Sequence, residues 1–192
     1  ASGNEYRQPR GTGARFSPDS GHLVYLIAPP EEETEAARKD KKKPEDMPKN
    51  GLGVMNLADG SVAEVERVKG FRLPADAGAW VAYLHEGPTS EEEKAASDPE
   101  EETEEEAEGD DEAEKKDKDY GTTLTVRSLS DGAEWNVASV LDYRFTDDGS
   151  IVVYTVSSEE EPETDGIYTY APAAGAGATL LDEPQRLELG GE

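Results

Sequence analysis

A sequence motif that recurs along the chain constrains the fold more than any other feature of its 192 residues. It reads FSPDSGHLVY at 16–25 and FTDDGSIVVY at 145–154, with the same spacing from Phe to Tyr. A third version, FRLPADAGAWVAY at 71–83, has three more residues in its turn. Each version predicts a strand that ends near the Phe, a Gly/Asp/Pro turn and a second strand. The sequence therefore predicts three copies of one β-rich repeat.

Each repeat continues into a second hairpin. The segments at 52–68 and 124–140 alternate between apolar and polar residues on both sides of an Asp-Gly pair, and 166–181 does so around a Gly/Ala-rich turn. Asp-Gly between alternating runs is a strong hairpin signal, because both residues tolerate positive φ. Each repeat is therefore predicted to contain four antiparallel strands.

Polar insertions fall at one equivalent point, between the second and third strands, at 30–50, 87–119 and 158–166. Without the first two, the repeat spacings are 34 and 41 residues, close to the roughly 40–45 residues of a propeller blade. The predicted fold is all-β: a partial β-propeller of about three four-stranded antiparallel blades, with long acidic and mixed-charge disordered loop insertions. A β-sandwich built from the same hairpins is the alternative.

The predicted domain organisation is a single incomplete propeller over 1–192, with blades at 12–70, 71–140 and 141–189. A propeller closes with about four to eight blades. The sequence is therefore expected to be a piece of a longer protein.

Charge is concentrated between Glu91 and Asp119, a segment with seventeen Asp and Glu and four Lys. Its net charge of −13 is half of the formal net charge of −26. Such a block is usually a solvated loop, and it lacks the ligand spacing of a calcium loop; weak binding of cations or of a basic protein is the alternative. The net charge argues against nucleic acid and anionic membrane surfaces as partners. No apolar run is long enough to predict membrane insertion.

Few residues are candidates for chemistry. The two histidines, His22 and His85, lie at predicted strand ends without carboxylates at ligand spacing. The acidic residues of SPDSG (17–21) and TDDG (146–149) are typical of turns. No catalytic, cofactor-binding or metal-binding residue is predicted, and no cofactor. The recurring aromatic residues are expected to pack between repeats, with a ligand role left open for Tyr168 and Tyr170; these are Phe16, Tyr25, Phe71, Trp80, Tyr83, Phe145 and Tyr154.

Several stretches resemble the amino-terminal β-propeller of bacterial prolyl oligopeptidase-family serine peptidases. They are RFSPDSGHLVYLIAPP, KKKPEDMPKNGLGVMNLADG, VLDYRFTDDG and ETDGIYTY. The FSPDG-like element is shared with TolB-like and WD-repeat-like propellers. The resemblance implies that this propeller sits over an α/β-hydrolase domain, whose serine, on a Gly-x-Ser-x-Gly turn, attacks the substrate. That motif does not occur in this chain.

The resemblance implies a non-catalytic propeller fragment that gates and orients a peptide substrate for a carboxy-terminal hydrolase domain. The parent protein is expected to be a serine-type peptidase, and this chain by itself to be inert. A stand-alone TolB-like propeller that binds or scaffolds proteins is the alternative. A periplasmic or secreted location is favoured over a cytoplasmic one.

Overall fold

A computed structural model describes residues 5–76, 79–89, 119–174 and 176–180, the last of these by backbone alone. Strands dominate the described residues, and the longest helix among them is α1 (Glu31–Lys39). The strands are β1 (Gly11–Phe16), β2 (His22–Ile27), β3 (Gly51–Asn56), β4 (Val62–Val65), β5 (Val68–Arg72), β6 (Trp80–His85), β7 (Thr122–Ser128), β8 (Glu134–Phe145), β9 (Val152–Val156), β10 (Gly166–Ala171) and β11 (Ala176–Leu180).

The strands form two antiparallel sheets. The first has the order β1-β2-β3-β4, and the second the order β11-β10-β9-β8-β7-β6-β5. The second sheet consists of two four-stranded units that share β8, because its first part pairs with β7 as far as Val140 and its last part pairs with β9 from Val140 onward. The chain is thus a partial β-propeller of three four-stranded units, in which one bent strand closes the second unit and opens the third.

Equivalent corners join the units. The bend in β8 lies at Ser139, which has φ 59°, and the corner between β4 and β5 lies at Arg67, which has φ 56°. The carbonyl of Ser139 accepts a 2.8 Å hydrogen bond from the Ser157 amide, and that of Arg67 accepts one of 2.8 Å from the Glu86 amide. A left-handed conformation is costly for residues other than glycine. These bonds and the packing around them therefore hold both corners.

Apolar side chains fill the space between successive units. The cluster between the first two units contains Val24, Leu52, Val54, Val68, Val81, Tyr83 and Leu129. The cluster between the second and third units contains Ala82, Leu84, Leu124, Val126, Val140, Tyr143, Val152, Tyr154, Val156 and Tyr170. The expectation that the recurring tyrosines pack between repeats is met at Tyr83 and Tyr154, each of which lies against the preceding unit.

Tyr25 is the equivalent tyrosine of the first unit, and it lies on the face turned away from the second unit. It is 2% exposed and packs with Ile27 and Met55. Its ring lies over Gly53, where a Cβ would stand only 2.4 Å from a ring carbon. The first unit therefore has, on its free face, the same tyrosine that packs between units elsewhere.

The strand register corrects the alignment of the repeats. Phe16 and Phe145 pair with residues two positions before Tyr25 and Tyr154, whereas Phe71 lies directly opposite Tyr83. The position equivalent to the two phenylalanines is therefore Leu73, not Phe71, and the second turn is one residue longer than the others rather than three. Aligning the repeats on their phenylalanines gave the wrong register for the second repeat. Phe71 packs between units, the role that Tyr143 has in the third repeat.

The Asp-Gly hairpins also differ from expectation. Only the glycines have positive φ, 76° at Gly60 and 74° at Gly132. Each closes a four-residue loop by donating its amide to the residue four positions earlier, Asn56 or Ser128. The loops are therefore longer than the two-residue turns that the sequence pattern indicates.

The first insertion is ordered where a disordered loop was expected. Residues 31–33 put three glutamates in the first turn of α1, and Arg38 and Lys39 stand in its last turn, an arrangement that complements the helix dipole. Ala37 is buried, and the Lys49 ammonium lies 3.6 Å from a Glu86 carboxylate oxygen of the second unit. Most of the acidic insertion, residues 90–118, lies outside the described residues, as do the residues after 180.

No described helix has the length and apolar character needed to span a membrane.

Candidate ligand site at the inner strands

An arginine stands at the equivalent position of the first strand of every unit. Arg15, Arg72 and Arg144 pair across the sheet with Val24, Ala82 and Val153. Each of these partners directly precedes the recurring tyrosine of its unit. The first strands β1 and β5 are edge strands, and the last part of β8 pairs only with β9. All three arginines therefore project from strands that leave one edge unpaired in the described chain.

Each of these strands has one extra residue before its arginine. The register shifts by one between Thr12 and Arg15 in β1, between Val68 and Gly70 in β5, and between Val140 and Asp142 in β8. A β-bulge bends a strand and redirects the side chains that follow it. The same irregularity thus orients all three arginines.

The three arginines line one cavity of about 680 Å³. Apolar residues form much of its remaining wall, and Asp147 is its one acidic lining residue within the described chain. A main-chain bond of 2.8 Å from Asp76 to Asp147 links the turns of the second and third units beside it. The lining residues are Arg15, Phe16, Pro18, Phe71, Arg72, Leu73, Pro74, Ala75, Arg144, Phe145 and Asp147.

Arg72 is held in place by the third unit. Its guanidinium donates a 2.5 Å bond to the Tyr143 carbonyl and a 3.0 Å bond to Asp142, and it lies 5.2 Å from the centre of the Tyr143 ring. These two hydrogen bonds use two of the five N–H donors of the guanidinium and fix its position. Arg72 therefore serves mainly to join units and to fix one wall of the cavity.

The other two arginines are freer. The Arg144 side chain is 78% exposed and reaches Asp142 only at 4.0 Å, the outer limit of an ion pair. The Arg15 side chain is exposed and has neither a hydrogen-bond nor an ion-pair partner among the residues that the structure describes. Among the described residues, the cavity thus presents one guanidinium group without a side-chain partner and one with a single long contact, in a chain whose net charge is −26. Phe16, beside Arg15, is 63% exposed to the same space.

The acidic residues of the neighbouring turns act locally. Asp148 accepts hydrogen bonds from the Thr146 hydroxyl at 2.6 Å and from the Ser150 amide at 3.0 Å, and these bonds lower its pKa to about 2. Asp19 makes the same contacts in the first unit, to Ser17 and Gly21, with its pKa lowered for the same reason. Both carboxylates stabilise turns that follow the arginine strands.

The histidines lie away from the cavity. The His85 ring accepts or donates a 3.0 Å bond with Thr125, which in turn bonds to Asn136 at 2.6 Å, and burial lowers its pKa. His22 begins β2. Within the described ranges, no group of three or more His, Asp or Glu side chains is placed to hold a metal ion.

Tyr168 and Tyr170, for which a ligand role was left open, pack inside the third unit's cluster. The Tyr170 ring stacks on Trp135 at 3.9 Å and 8°, and the Tyr168 ring stacks on Tyr154 at 5.6 Å and 15°. Neither lines the arginine cavity.

Sequence reasoning missed the arginines. The signal was present, since Arg15-Phe16, Arg72-Leu73 and Arg144-Phe145 all place an arginine directly before the turn. The alignment on Phe71 displaced the second arginine by two positions and hid the correspondence.

Comparison with solved structures finds similar folds, and three of them are given below. The first is the β-propeller domain of the Trilobed protease from Pyrococcus furiosus, at a TM-score of 0.46 and 9% identity over 90% of this chain and 43% of that one. The second is the acylaminoacyl peptidase of Pyrococcus horikoshii, at 0.42 and 13% over 91% and 25%. The third is an acylaminoacyl peptidase in complex with Z-Gly-Gly-Phe-chloromethyl ketone, at 0.45 and 12% over 90% and 24%.

The chain thus spans less than half the length of each of these structures. No protein-family model and no curated protein sequence matches it.

Proposed function

We propose that this chain is the non-catalytic propeller portion of a bacterial serine peptidase of the prolyl oligopeptidase family. Its inner strands line the passage by which peptides reach a hydrolase domain that follows in the parent protein. The family assignment rests on the sequence stretches around the repeats. The role in substrate passage rests on the cavity between the inner strands.

The observation that carries the proposal is the convergence of the three first strands on one cavity. Within the described residues these strands pair with a neighbouring strand on one side only, so their inner edges offer amides and carbonyls that no second strand pairs. An extended peptide can pair with such an edge. A cavity of about 680 Å³ is of the size that ligand pockets commonly have, and it accommodates a few residues of extended chain but not a folded domain.

The reading frame of the parent gene tests the assignment. We expect it to continue beyond residue 192 into further propeller repeats and a domain with a Gly-x-Ser-x-Gly motif. A fluorophosphonate probe should label the parent protein at that serine and leave the 192-residue chain unlabelled. A parent in which that serine is replaced by alanine is the matched control.

Two results would contradict the proposal. A reading frame that ends after a few more propeller repeats would favour the alternative, a stand-alone TolB-like binding or scaffolding module. Labelling of the isolated chain would show that a nucleophile lies within it.

The gating role has a separate test. The parent should hydrolyse peptides of a few residues and leave an unfolded protein such as reduced casein largely uncut. Equal rates on both would exclude a role of the propeller in restricting substrate size.

A further inference from the structure

The arginine cavity has the chemistry of an anion site. A guanidinium fork matches a carboxylate with two parallel hydrogen bonds. The Arg15 side chain has no partner among the described residues, and the Arg144 side chain has only a long contact to Asp142. Arg72, bonded to Asp142 and Tyr143, holds the opposite wall.

The apolar part of the wall narrows the class of ligand. Phe16, Phe71, Leu73 and Phe145 line the same space as the guanidinium groups. An anion without an apolar body would leave these side chains in water, whereas a ligand that joins a carboxylate to an apolar side chain satisfies both parts of the wall.

The net charge of −26 narrows the class of ligand further. A polyanion such as a nucleic acid is repelled by the rest of the molecule. A ligand with a single negative charge is repelled far less and still gains the local pairing with arginine.

We propose that Arg15 and Arg144 form a subsite that binds the carboxylate of a peptide, with an adjoining apolar residue seated against Phe16 and Phe145. The inference deepens the proposed function and rests on it for the peptide nature of the ligand. The carboxylate is either the peptide's carboxy terminus or an Asp or Glu side chain.

The test is a titration of the 192-residue chain with small peptides, followed by changes in its NMR spectrum. The probes are acetyl-Ala-Ala-Phe with a free carboxylate, the amide of the same peptide, and acetyl-Ala-Glu-Phe amide. We expect the free acid to bind about tenfold more tightly than its amide, as charge-assisted bonds to arginine require. Weak binding of the glutamyl amide assigns the subsite to carboxy termini, whereas binding at the strength of the free acid shows that the subsite accepts both terminal and side-chain carboxylates. Tight binding of the glutamyl amide with weak binding of the free acid assigns the subsite to side-chain carboxylates.

Substitution locates the effect. Arg15→Gln and Arg144→Gln should each reduce affinity for the preferred carboxylate peptide about fivefold to tenfold and leave the weak binding of acetyl-Ala-Ala-Phe amide unchanged. Arg38→Gln makes the same charge change on α1, outside the cavity, and should have no effect. Added salt should weaken binding of the carboxylate peptide and not of the uncharged amide. Because the Arg15 side chain is exposed and has no partner among the described residues, its substitution should leave the thermal unfolding midpoint unchanged.

The subsite is overturned if both carboxylate peptides bind no better than the uncharged amide, or if Arg15→Gln and Arg144→Gln bind like the unsubstituted chain. Equal binding of the acids and the amide would not contradict the proposed role in peptide passage, because that outcome excludes only recognition of the carboxylate. Failure of the family assignment is read independently, from the reading frame and the probe labelling.

Discussion

The phenol of Tyr143 donates a 2.9 Å hydrogen bond to the main-chain carbonyl of Ala82. Tyr143 belongs to the first strand of the third unit and Ala82 to the second unit, so this buried bond joins two units. The same tyrosine supports Arg72 through its carbonyl and its ring. One residue thus fixes the contact between units and one wall of the arginine cavity.

Removing that phenol should weaken the contact between units. We expect Tyr143→Phe to lower the free energy of unfolding by about 1 kcal/mol, because a buried carbonyl loses a partner. Urea denaturation followed by circular dichroism measures the change. Tyr168→Phe is the control, since its bond to the Thr164 carbonyl, only four residues away, joins no units. An equal loss in the two variants would contradict the role given to Tyr143.

Gly121 is required by a close backbone approach. A Cβ at this position would stand 2.1 Å from the carbonyl carbon of Ser139, at the corner of β8. Backbone cannot move as a side chain can, so Gly121→Ala should cost about 3 kcal/mol of unfolding free energy. At Gly87 a Cβ would meet nothing nearer than 3.8 Å, and Gly87→Ala should be nearly neutral. Thermal unfolding midpoints compare the two; similar midpoints would show that the corner tolerates displacement.

Ser20 carries strain that its counterpart in the third unit avoids. It has φ 58°, and the equivalent residue, Gly149, has φ 67°. Ser20→Gly removes the left-handed strain of roughly 1–2 kcal/mol and adds flexibility to the unfolded chain, at a cost of about 0.4–1 kcal/mol. We expect a net gain of about 0.5 kcal/mol from these opposing effects.

The reverse substitution, Gly149→Ser, should destabilise the chain. The pair is measured by urea denaturation under identical conditions. A loss of stability in Ser20→Gly would mean that the serine side chain contributes more to its turn than its backbone costs.

The tyrosines between units should limit stability at high pH. Burial, with the Glu134 carboxylate nearby, raises the pKa of Tyr83 to about 12, and burial beside Tyr168 raises that of Tyr154 to about 12. Burial raises the pKa of Tyr143 as well. In the unfolded chain these phenols ionise near the ordinary value of 10.0. Their neutral forms therefore stabilise the folded state fully below that pH, and the contribution is lost as pH rises toward about 12.

Urea midpoints at about pH 9 and about pH 11 should therefore differ, with the lower midpoint at the higher pH. Ultraviolet absorbance of tyrosinate follows the ionisation directly. Tyr154→Phe should reduce the difference between the two midpoints. A midpoint that does not change over this range would show that the buried phenols ionise without loss of structure.

Much of the fold could be predicted from local pattern. The repeated Phe-turn-Tyr motif and the alternating hairpins each depend on residues close together in sequence, and such local patterns predict hairpin pairing. The number of strands in each unit and the placement of the insertions between second and third strands came from the same evidence. Helix α1 was missed because its stability comes from end charges and from the burial of Ala37 rather than from an apolar stripe.

The register of the second repeat could not be predicted from local sequence pattern. Phe71 matches Phe16 and Phe145 in type, but a strand exposes alternate faces, and a bulge moves a residue by one position. Only the pairing of Phe71 with Tyr83 shows that Leu73 is the true counterpart.

The repeated antiparallel hairpins, their turns and the positions of the insertions could be predicted from sequence, because residues close together along the chain set them. That Arg15, Arg72 and Arg144 share a cavity follows from how the units pack and could not be predicted from sequence. Their separation along the chain is large, and they meet because the units pack side by side with the same strand innermost, so that one position of the repeat recurs around a common space.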